Sequence, residues 1–405
     1  MEILTTILFV LFITINIPLL FYFLEPVGFM IVHSISPSAK KKTSQLNPFL
    51  NEKDYHFAAI LTAHQDNRFI APAVDSFLKQ THPHFSLYVV ADDCDITDLH
   101  FTDDRIILLK PAQALHSKIK SIDYAVANFR SEPDVMIIFD SDNLVHPDYL
   151  KNLNAYFRQG FRVVQTHMLS KNTDSTYARL DSIGHVYYTF YERIVKMKLG
   201  LTSAILGLGI ALETKLYREI NYKQAISGFD KKLQSQLAIK VKQIAFAEDA
   251  IVYDEKVENA EVMEKQRTRW IFTYFKHFED SRKLLFAGIK NLNLGQFLLG
   301  TTMLRPPMIL LLSASLFMFM LSLFVYPTLA IIWGAVFILF ILNFVWTIAT
   351  QSRQKGLLST VTHIPQMFFI QIKSLLKIKK AKKDFLKTEH KKIIYIDDIL
   401  RHEYS

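Results

Sequence analysis

The chain has 405 residues, half of them hydrophobic and 21% of them charged, a mixture typical of apolar membrane segments joined to a soluble domain. Its formal net charge of +9 would also suit nucleic acid, but the sequence contains no zinc-finger spacing or other nucleic-acid motif, so we expect no nucleic-acid partner. A single cysteine, Cys94, excludes an internal disulfide and a multi-cysteine metal site.

The first apolar segment covers residues 3–24, which carry no charged side chain. At about 1.5 Å per residue, a helix of this length crosses a hydrocarbon layer of ~30 Å. A cleaved signal peptide is the alternative, but Glu2 stands where a basic n-region would be, and the apolar run is longer than usual for such a peptide. We therefore predict a transmembrane anchor over residues 1–34.

The central region alternates apolar β-type runs with helical stretches. The predicted strands are residues 57–63, 87–91, 105–109, 135–139 and 162–168, and the predicted helices are residues 69–80 and 118–129. This order predicts an α/β domain over residues 50–275 with a mainly parallel sheet. Ligands of such domains bind at the carboxyl ends of the strands.

Acidic residues follow three of the predicted strands. Asp140 and Asp142 come directly after residues 135–139, Asp92 and Asp93 follow the second strand, and Asp66 follows the first. Oxygen ligands at the spacing of Asp140 and Asp142 can hold Mg²⁺ or Mn²⁺, which would neutralise charge on a departing diphosphate. Each cluster alone reads equally well as a polar turn, but three such clusters at three strand ends favour a ligand site.

Farther along, the sequence reads Gln266-Arg267-Thr268-Arg269-Trp270. On a helix, Gln266, Arg269 and Trp270 share one face. An arginine can grip diphosphate oxygens with two parallel hydrogen bonds, and an indole ring can stack on a sugar. The alternative is an interfacial helix with Arg and Trp at the level of the lipid headgroups.

The C-terminal part contains the longest uncharged stretch, residues 306–350. Tyr326-Pro327 near its middle predicts a turn between two spanning helices. We expect interfacial helices before it, at residues 276–305. After it, residues 351–405 are expected to form an interfacial amphipathic helix, at 356–376, and a basic tail.

Two lysine clusters flank the apolar segments. The first consists of Lys40, Lys41 and Lys42, and the second of Lys373, Lys377, Lys379, Lys380, Lys382, Lys383 and Lys387. One crossing at the start and two at the end place both clusters on the same side, which the positive-inside rule makes the cytoplasm. We therefore predict a multi-pass protein of the cell (inner) membrane, with its central domain in the cytoplasm and its lysines on membrane lipids.

Residues 55–275 resemble the processive branch of the family 2 glycosyltransferases, which includes cellulose, chitin, hyaluronan and poly-N-acetylglucosamine synthases. Gln266, Arg269 and Trp270 match the family's Q-x-x-R-W signature, and Asp140 and Asp142 match its metal-binding D-x-D. The resemblance implies a GT-A-like, Rossmann-type nucleotide-sugar-binding domain with appended transmembrane helices. It also implies an inverting, metal-dependent transfer of sugar from a nucleotide-sugar, in particular a UDP-sugar, to a polysaccharide or lipid-linked acceptor.

The resemblance extends to the roles of individual residues. It implies nucleotide-sugar binding for Ala63, Asp66, Asp92, Asp93, Lys118, Asp140, Gln266 and Arg269, acceptor binding for Gly207, Gly209 and Trp270, and metal binding for Asp140 and Asp142. A structural turn is the alternative reading of the two glycines.

The family's catalytic base lies in a glutamate-aspartate pair before an apolar helix, and here the pair reads Phe229-Asp230. An inverting transfer needs a carboxylate that takes the proton from the acceptor hydroxyl, so Asp230 is the candidate base. A helix cap is the alternative role for Asp230. Asp249 is the second candidate for the base.

Two further interpretations stay open. A single-addition enzyme acting on a glycolipid is one, because three crossings leave few helices to enclose a polysaccharide channel unless a second copy or an auxiliary membrane subunit contributes more. The other is a catalytically silent membrane scaffold that retains the fold, which Phe229 in place of the family's glutamate supports.

Overall fold

The computed structural model describes residues 2–36, 48–220, 228–354, 356–379 and 391–403. Seven of the lysines on which the predicted membrane orientation depends lie outside these ranges. The lysines concerned are Lys40, Lys41, Lys42, Lys380, Lys382, Lys383 and Lys387.

The described strands form one mixed sheet in the order β3-β2-β1-β4-β7-β6-β8-β5. They are β1 (Phe57–His64), β2 (Phe85–Asp92), β3 (Ile106–Leu109), β4 (Val135–Asp140), β5 (Leu144–Val145), β6 (Val163–Ser170), β7 (Ile210–Glu213) and β8 (Ala245–Asp254). β1 pairs in parallel with β2 and β4, and β6 with β8, whereas β7 is antiparallel to both its neighbours. The five predicted strands are confirmed, and β5, β7 and β8 are additional.

The helices are numbered in chain order. They are α1 (Glu2–Ile35), α2 (Ile70–Leu78), α3 (Lys118–Ala127), α4 (Tyr149–Arg158), α5 (Thr176–Thr189), α6 (Val195–Lys198), α7 (Thr214–Arg218), α8 (Phe229–Lys240), α9 (Ala260–Lys276), α10 (Phe278–Lys290), α11 (Leu294–Leu304), α12 (Met308–Val325), α13 (Pro327–Gln351), α14 (Ile364–Leu376) and α15 (Ile396–Glu403). A π-helical segment (Phe190–Ile194) joins α5 to α6, and a 3-10 helix (Leu358–His363) precedes α14.

Helices cover both faces of the sheet, which explains why β1 begins with an unbroken apolar run over residues 57–61. Phe57, Ala59 and Leu61 pack in one core with buried residues of α2, α4 and α5. Ala58 and Ile60 point the other way and pack with buried residues of α3, α8, α10 and α11. The carboxyl ends of β1, β2, β4, β6 and β8 all lie on one edge of the sheet, where the acidic clusters were expected.

Three of the described helices are long and apolar enough to cross a membrane, namely Thr6–Ile35, Met308–Val325 and Pro327–Gln351. The indole N–H of Trp333 donates to Asn16 Oδ1 at 2.8 Å and so joins the last of these helices to the first. The hydroxyl of Tyr191 donates to Asn343 Oδ1 at 2.5 Å and links the same last helix to the α/β domain. Helices thus occupy the positions predicted for the anchor and the hairpin, and their crossing of a membrane stays a prediction.

Helices α9, α10 and α11 expose an apolar surface before the hairpin begins. Its side chains are Trp270, Phe275, Phe278, Phe286, Ile289, Leu292 and Leu294. Exposed apolar side chains next in sequence to helices that could cross a membrane suit a lipid interface, and the interfacial position of residues 276–305 stays our prediction.

The last described residues, 391–403, return to the α/β domain. We call them the C-terminal strap. Ile396 in the strap is fully buried in a cluster with Leu144 of β5 and Tyr253 of β8. Lys79, the residue after α2, donates to Asp397 at 2.8 Å. The strap therefore covers β5, the strand at the edge of the sheet.

Candidate active site

The D-x-D turn, residues 140–143, begins where β4 ends. The amide side chain of Asn143 closes this turn, because its Oδ1 accepts the backbone N–H of Asp140 at 2.9 Å. Lys118, the first residue of α3, donates from Nζ to Asp140 Oδ1 at 2.5 Å and to the Gly207 carbonyl at 2.9 Å. The ring of Phe229 lies 5.4 Å from the same ammonium group. Lys118 therefore contacts the D-x-D turn, the loop that contains Gly207 and the start of α8, which the sequence alone did not bring together.

Asp142 lies deeper than Asp140, with only 4% of its surface exposed. Lys171, which follows β6, donates from Nζ to the Asp142 carbonyl at 3.2 Å. Burial lowers the pKa of Lys171, while the neighbouring carboxylates of Asp142, Glu255 and Asp254 act in the opposite direction. The D-x-D turn therefore packs on a buried polar network that contains Lys171, Asp254 and Glu255.

The carboxylates of Asp140 and Asp142 are oxygen donors of the kind that Mg²⁺ and Mn²⁺ bind. No group of three or more His, Cys, Asp or Glu side chains within the described ranges is arranged to hold a metal ion. The two aspartates fit an ion that takes its other ligands from a diphosphate and from water, as Mg²⁺ usually does. Lys118 at Asp140 is a competing positive charge, which a metal would have to displace or share.

The predicted aspartate pair at the end of β2 has two different environments. Asp92 is 1% exposed, and its carboxylate accepts the backbone N–H groups of Leu115 at 2.6 Å and His116 at 3.0 Å. His64 Nδ1 lies 2.9 Å from Asp92 Oδ2. These contacts hold the loop before α3 against the sheet. The carboxylate of Asp92 is therefore engaged by groups of the protein.

Asp93, in contrast, is exposed and accepts a hydrogen bond from Gln65 Nε2 at 2.8 Å. Gln65, Asp93 and His116 have φ angles of 58°, 54° and 49°, a left-handed backbone that is uncommon outside glycine. Such conformations cluster at ligand sites, where surrounding contacts hold them in place. The rings of His64 and His116 stand edge to face, 5.2 Å apart. Asp93 and these two histidines therefore form the open rim at this end of the edge.

Asp230 is the second residue of α8. Gly228 before it has φ of 71°, and a Cβ there would lie 2.2 Å from Thr273 Cγ2 of α9. A residue without a side chain is thus required for α8 to begin this close to α9. Burial lowers the pKa of Arg269 on α9, while the charges of Asp140 and Asp230 raise it. Arg269 therefore lies in the field of both carboxylates.

Asp249, the second candidate base, is engaged elsewhere. Its carboxylate accepts the hydroxyl of Tyr156 at 3.1 Å, and its carbonyl accepts the side-chain amide of Asn152 at 2.8 Å. Both partners lie on α4, so Asp249 anchors that helix to β8.

The Q-x-x-R-W segment lies on α9, as its spacing predicted. Gln266 Oε1 is buried and accepts no hydrogen bond from the residues that the structure describes. Trp270 is 48% exposed, and the guanidinium carbon of Arg267 lies 4.1 Å from its ring centroid. Arg267 also pairs with the buried Asp181. Arg267 therefore holds the indole, a role that the sequence analysis did not assign.

The remaining predicted residues lie at or near the same edge, with different surroundings. Gly207 presents its carbonyl to Lys118, whereas Gly209 has φ of 63° and a Cβ there would lie 2.3 Å from Thr166 Oγ1. A side chain at position 209 would therefore collide with Thr166 of β6, so the packing of the sheet requires glycine there. Ala63 is buried within β1, and Asp66 pairs with Arg68 at 2.7 Å on the surface.

Sequence reasoning missed His64, His116, Lys171 and Glu255. His64 stands two residues before Asp66 in the same strand-end cluster, which was a signal that could have been used. Lys171 and Glu255 follow strands β6 and β8, but β8 was not predicted because Glu248 and Asp249 interrupt its apolar run.

Known protein families and curated sequences were compared with the chain. A family model described as "Glycosyltransferase like family 2" matches residues 55–273. No curated protein sequence matches the chain significantly.

Among solved structures, the chain is similar to the mannosyltransferase PcManGT from Pyrobaculum calidifontis in complex with GDP-Man and Mn²⁺. The TM-score is 0.56 at 14% identity, covering 92% of this chain and 99% of that one. Two structures of S. aureus TarS, one of them of residues 1–349, also match. Both have a TM-score of 0.39, with 14% and 16% identity, covering 62% and 60% of this chain and 55% and 70% of theirs. At such identity the likeness to PcManGT shows the fold alone.

Proposed function

The chain belongs to the family 2-like glycosyltransferases, and from this premise we propose that it transfers a sugar, with inversion, from a nucleotide-sugar to an acceptor at the membrane. The expected enzyme class and the GT-A-like α/β domain are confirmed by the family and by the fold shared with the mannosyltransferase. Inversion, the acceptor and the residue roles below are part of the proposal.

The observation that supports this function best is the set of contacts made by Lys118. Its ammonium group donates to Asp140 at 2.5 Å, on the donor side of the edge, and lies 5.4 Å from the ring of Phe229, the neighbour of Asp230 at the start of α8. Arg269 interacts electrostatically with both Asp140 and Asp230. Two such cations are suited to bind a diphosphate that leaves from one carboxylate's side while an acceptor oxygen is deprotonated at the other.

Asp230 acts as the general base in this proposal. Its carboxylate takes the proton of the acceptor hydroxyl while the hydroxyl oxygen bonds to the anomeric carbon. The bond between that carbon and the diphosphate breaks on the opposite side, and a nucleoside diphosphate leaves. Arg269 and Lys118 offer positive charge to the leaving diphosphate. Trp270, held by Arg267, offers an apolar face on which an acceptor sugar can stack.

Asp140 and Asp142 would hold Mg²⁺ or Mn²⁺. When bound, the ion would neutralise charge on the diphosphate. The mannosyltransferase of similar fold was solved with GDP-Man and Mn²⁺. A UDP-sugar is the donor that the sequence resemblance suggests, and a GDP-sugar is the donor that this neighbour suggests.

For the acceptor we propose a glycan or lipid-linked group at the cytoplasmic face of the cell membrane. Three candidate spanning helices within the described ranges favour an acceptor anchored in the membrane over export of a long polysaccharide by one copy of the chain. Mass spectrometry of material made by the purified protein, given membrane lipids and both UDP- and GDP-sugars, tests this. We expect a lipid carrying added sugar. A water-soluble polymer as the only product would contradict the acceptor and favour the processive branch.

The two aspartates after β2 should differ in effect. Asp93→Ala is expected to weaken nucleotide binding about 10- to 100-fold, since an exposed carboxylate can hold a nucleobase N–H by a charge-assisted bond. Asp92→Ala should instead lower the free energy of unfolding by about 1–3 kcal/mol, since two backbone N–H groups lose their acceptor. Nucleotide titration and denaturant unfolding of both variants measure this. Unchanged nucleotide affinity in Asp93→Ala would remove it from the site.

The proposed orientation is tested by protease added outside sealed cells. The α/β domain and the strap should both be spared, because both lysine clusters are expected on the cytoplasmic side. Permeabilised cells serve as the control in which both are cut. Cleavage of either region in sealed cells would contradict the orientation.

A further inference from the structure

The C-terminal strap contacts the α/β domain directly beside the D-x-D turn. Glu255, the residue after β8, is 5% exposed. Its two carboxylate oxygens accept the backbone N–H groups of Lys391 at 2.8 Å and Lys392 at 3.1 Å. Lys392 also pairs from its side chain with Asp174 and, at 3.1 Å, with Glu258. The first two residues of the strap thus donate hydrogen bonds to a buried carboxylate at the edge of the sheet that carries the candidate site.

A second contact lies on the other side of the turn. Ile396 is fully buried against Leu144 and Tyr253. Leu144 directly follows Asn143, the residue that closes the D-x-D turn, and pairs with Tyr253 across β5 and β8. The strap therefore packs on the strand that leaves the turn.

Short chains of contacts connect these two points to the aspartates. Asp254, the neighbour of Glu255, accepts the side-chain amide of Asn143 at 3.2 Å. It also accepts Lys256 Nζ at 3.0 Å, and its carbonyl accepts the backbone N–H of Lys171. Asn143 in turn accepts the N–H of Asp140, and Lys171 donates to the Asp142 carbonyl. One intermediate residue therefore connects Asp254 to each aspartate of the D-x-D. Asn143 connects it to Asp140, and Lys171 connects it to Asp142.

From these contacts we propose that the strap is a positioning element for the D-x-D turn, and that it acts through its contacts at Glu255 and Ile396. This inference rests on the proposed function, because it concerns the residues assigned there to the metal and the diphosphate. Without the strap, Glu255 would be a buried carboxylate without its two donors, next to Asp254 and within the field of Lys171. The polar network would rearrange, and the two aspartates would lose their fixed separation.

The test uses paired variants of the full chain. Lys391→Pro removes the backbone donor to Glu255, whereas Lys391→Ala keeps it and removes only an exposed side chain. Ile396→Asp removes the second attachment, and Ile393→Asp, the same change at an exposed isoleucine of the strap, is its control. The readouts are the affinity for Mn²⁺ measured with UDP present, and in a second series with GDP, together with the melting temperature.

Lys391→Pro and Ile396→Asp are each expected to weaken Mn²⁺ affinity about 10-fold, the size of effect seen when supporting groups around a metal site are changed. Their matched controls should bind Mn²⁺ like the parent. A lower melting temperature with unchanged Mn²⁺ affinity in both variants would show a merely structural strap and overturn the proposal. If Ile396→Asp does not fold, Lys391→Pro alone decides. A parent protein that binds no Mn²⁺ with either nucleotide would instead contradict the proposed metal site, which distinguishes the two failures.

Discussion

Asp230→Asn is expected to lower sugar transfer by ~10²- to ~10⁴-fold, the range for loss of a positioned general base. Asparagine keeps the shape of the side chain but cannot take the acceptor proton. Donor binding should change little, because the carboxylate acts on the acceptor and not on the nucleotide. Turnover and calorimetric titration of the nucleotide, measured on the same preparation, separate the two quantities.

Asp249→Asn is the matched control, since Asp249 is the other carboxylate considered for this role. Its partner is Tyr156 of α4, so the substitution should lower stability slightly and leave turnover near normal. The reverse pattern, with turnover lost in Asp249→Asn and kept in Asp230→Asn, would transfer the role to Asp249.

The second large effect is expected for Asp142→Asn, which should reduce metal-dependent transfer by roughly 10²-fold or more, since a metal ion supplies several kcal/mol of stabilisation to a developing charge. Asparagine keeps the volume of this buried side chain and loses the negative charge. Transfer measured over a range of Mn²⁺ concentrations checks the prediction.

Ser141→Ala is the control for Asp142→Asn, because Ser141 lies between the two aspartates without a carboxylate of its own. It should need no more Mn²⁺ than the parent. If Asp142→Asn transfers sugar like the parent at every Mn²⁺ concentration, Asp142 is not a metal ligand.

The sheet was largely predictable from the sequence because apolar strands of a doubly covered sheet are continuous runs, as in residues 57–61 and 135–139. The acidic clusters at their ends followed from the same pattern. β8 was not predictable in this way, since Asp249, which contacts helix α4, and Glu248, which pairs with Lys198 of α6, break its apolar run.

The different environments of Asp92 and Asp93 could not be predicted from the local sequence. Two adjacent aspartates look equivalent in sequence, but the left-handed backbone at Asp93 and the N–H groups of a loop 23 and 24 residues later give them opposite environments. The same is true of the strap. Its attachment to Glu255 joins residues 136 and 137 positions apart through backbone groups, which every residue but proline has.

Metal-dependent transfer of sugar from a nucleotide donor releases a nucleoside diphosphate, and this release can be measured with the purified protein. The protein is given UDP- and GDP-sugars with membrane lipids, once with Mn²⁺ and once with a chelator, beside the Asp230→Asn variant. We expect release that depends on Mn²⁺ and is lost in the variant. No release by the parent with any donor would contradict the claim and favour a silent scaffold, which Phe229 had suggested, and release unaffected by the chelator would contradict the role of the metal.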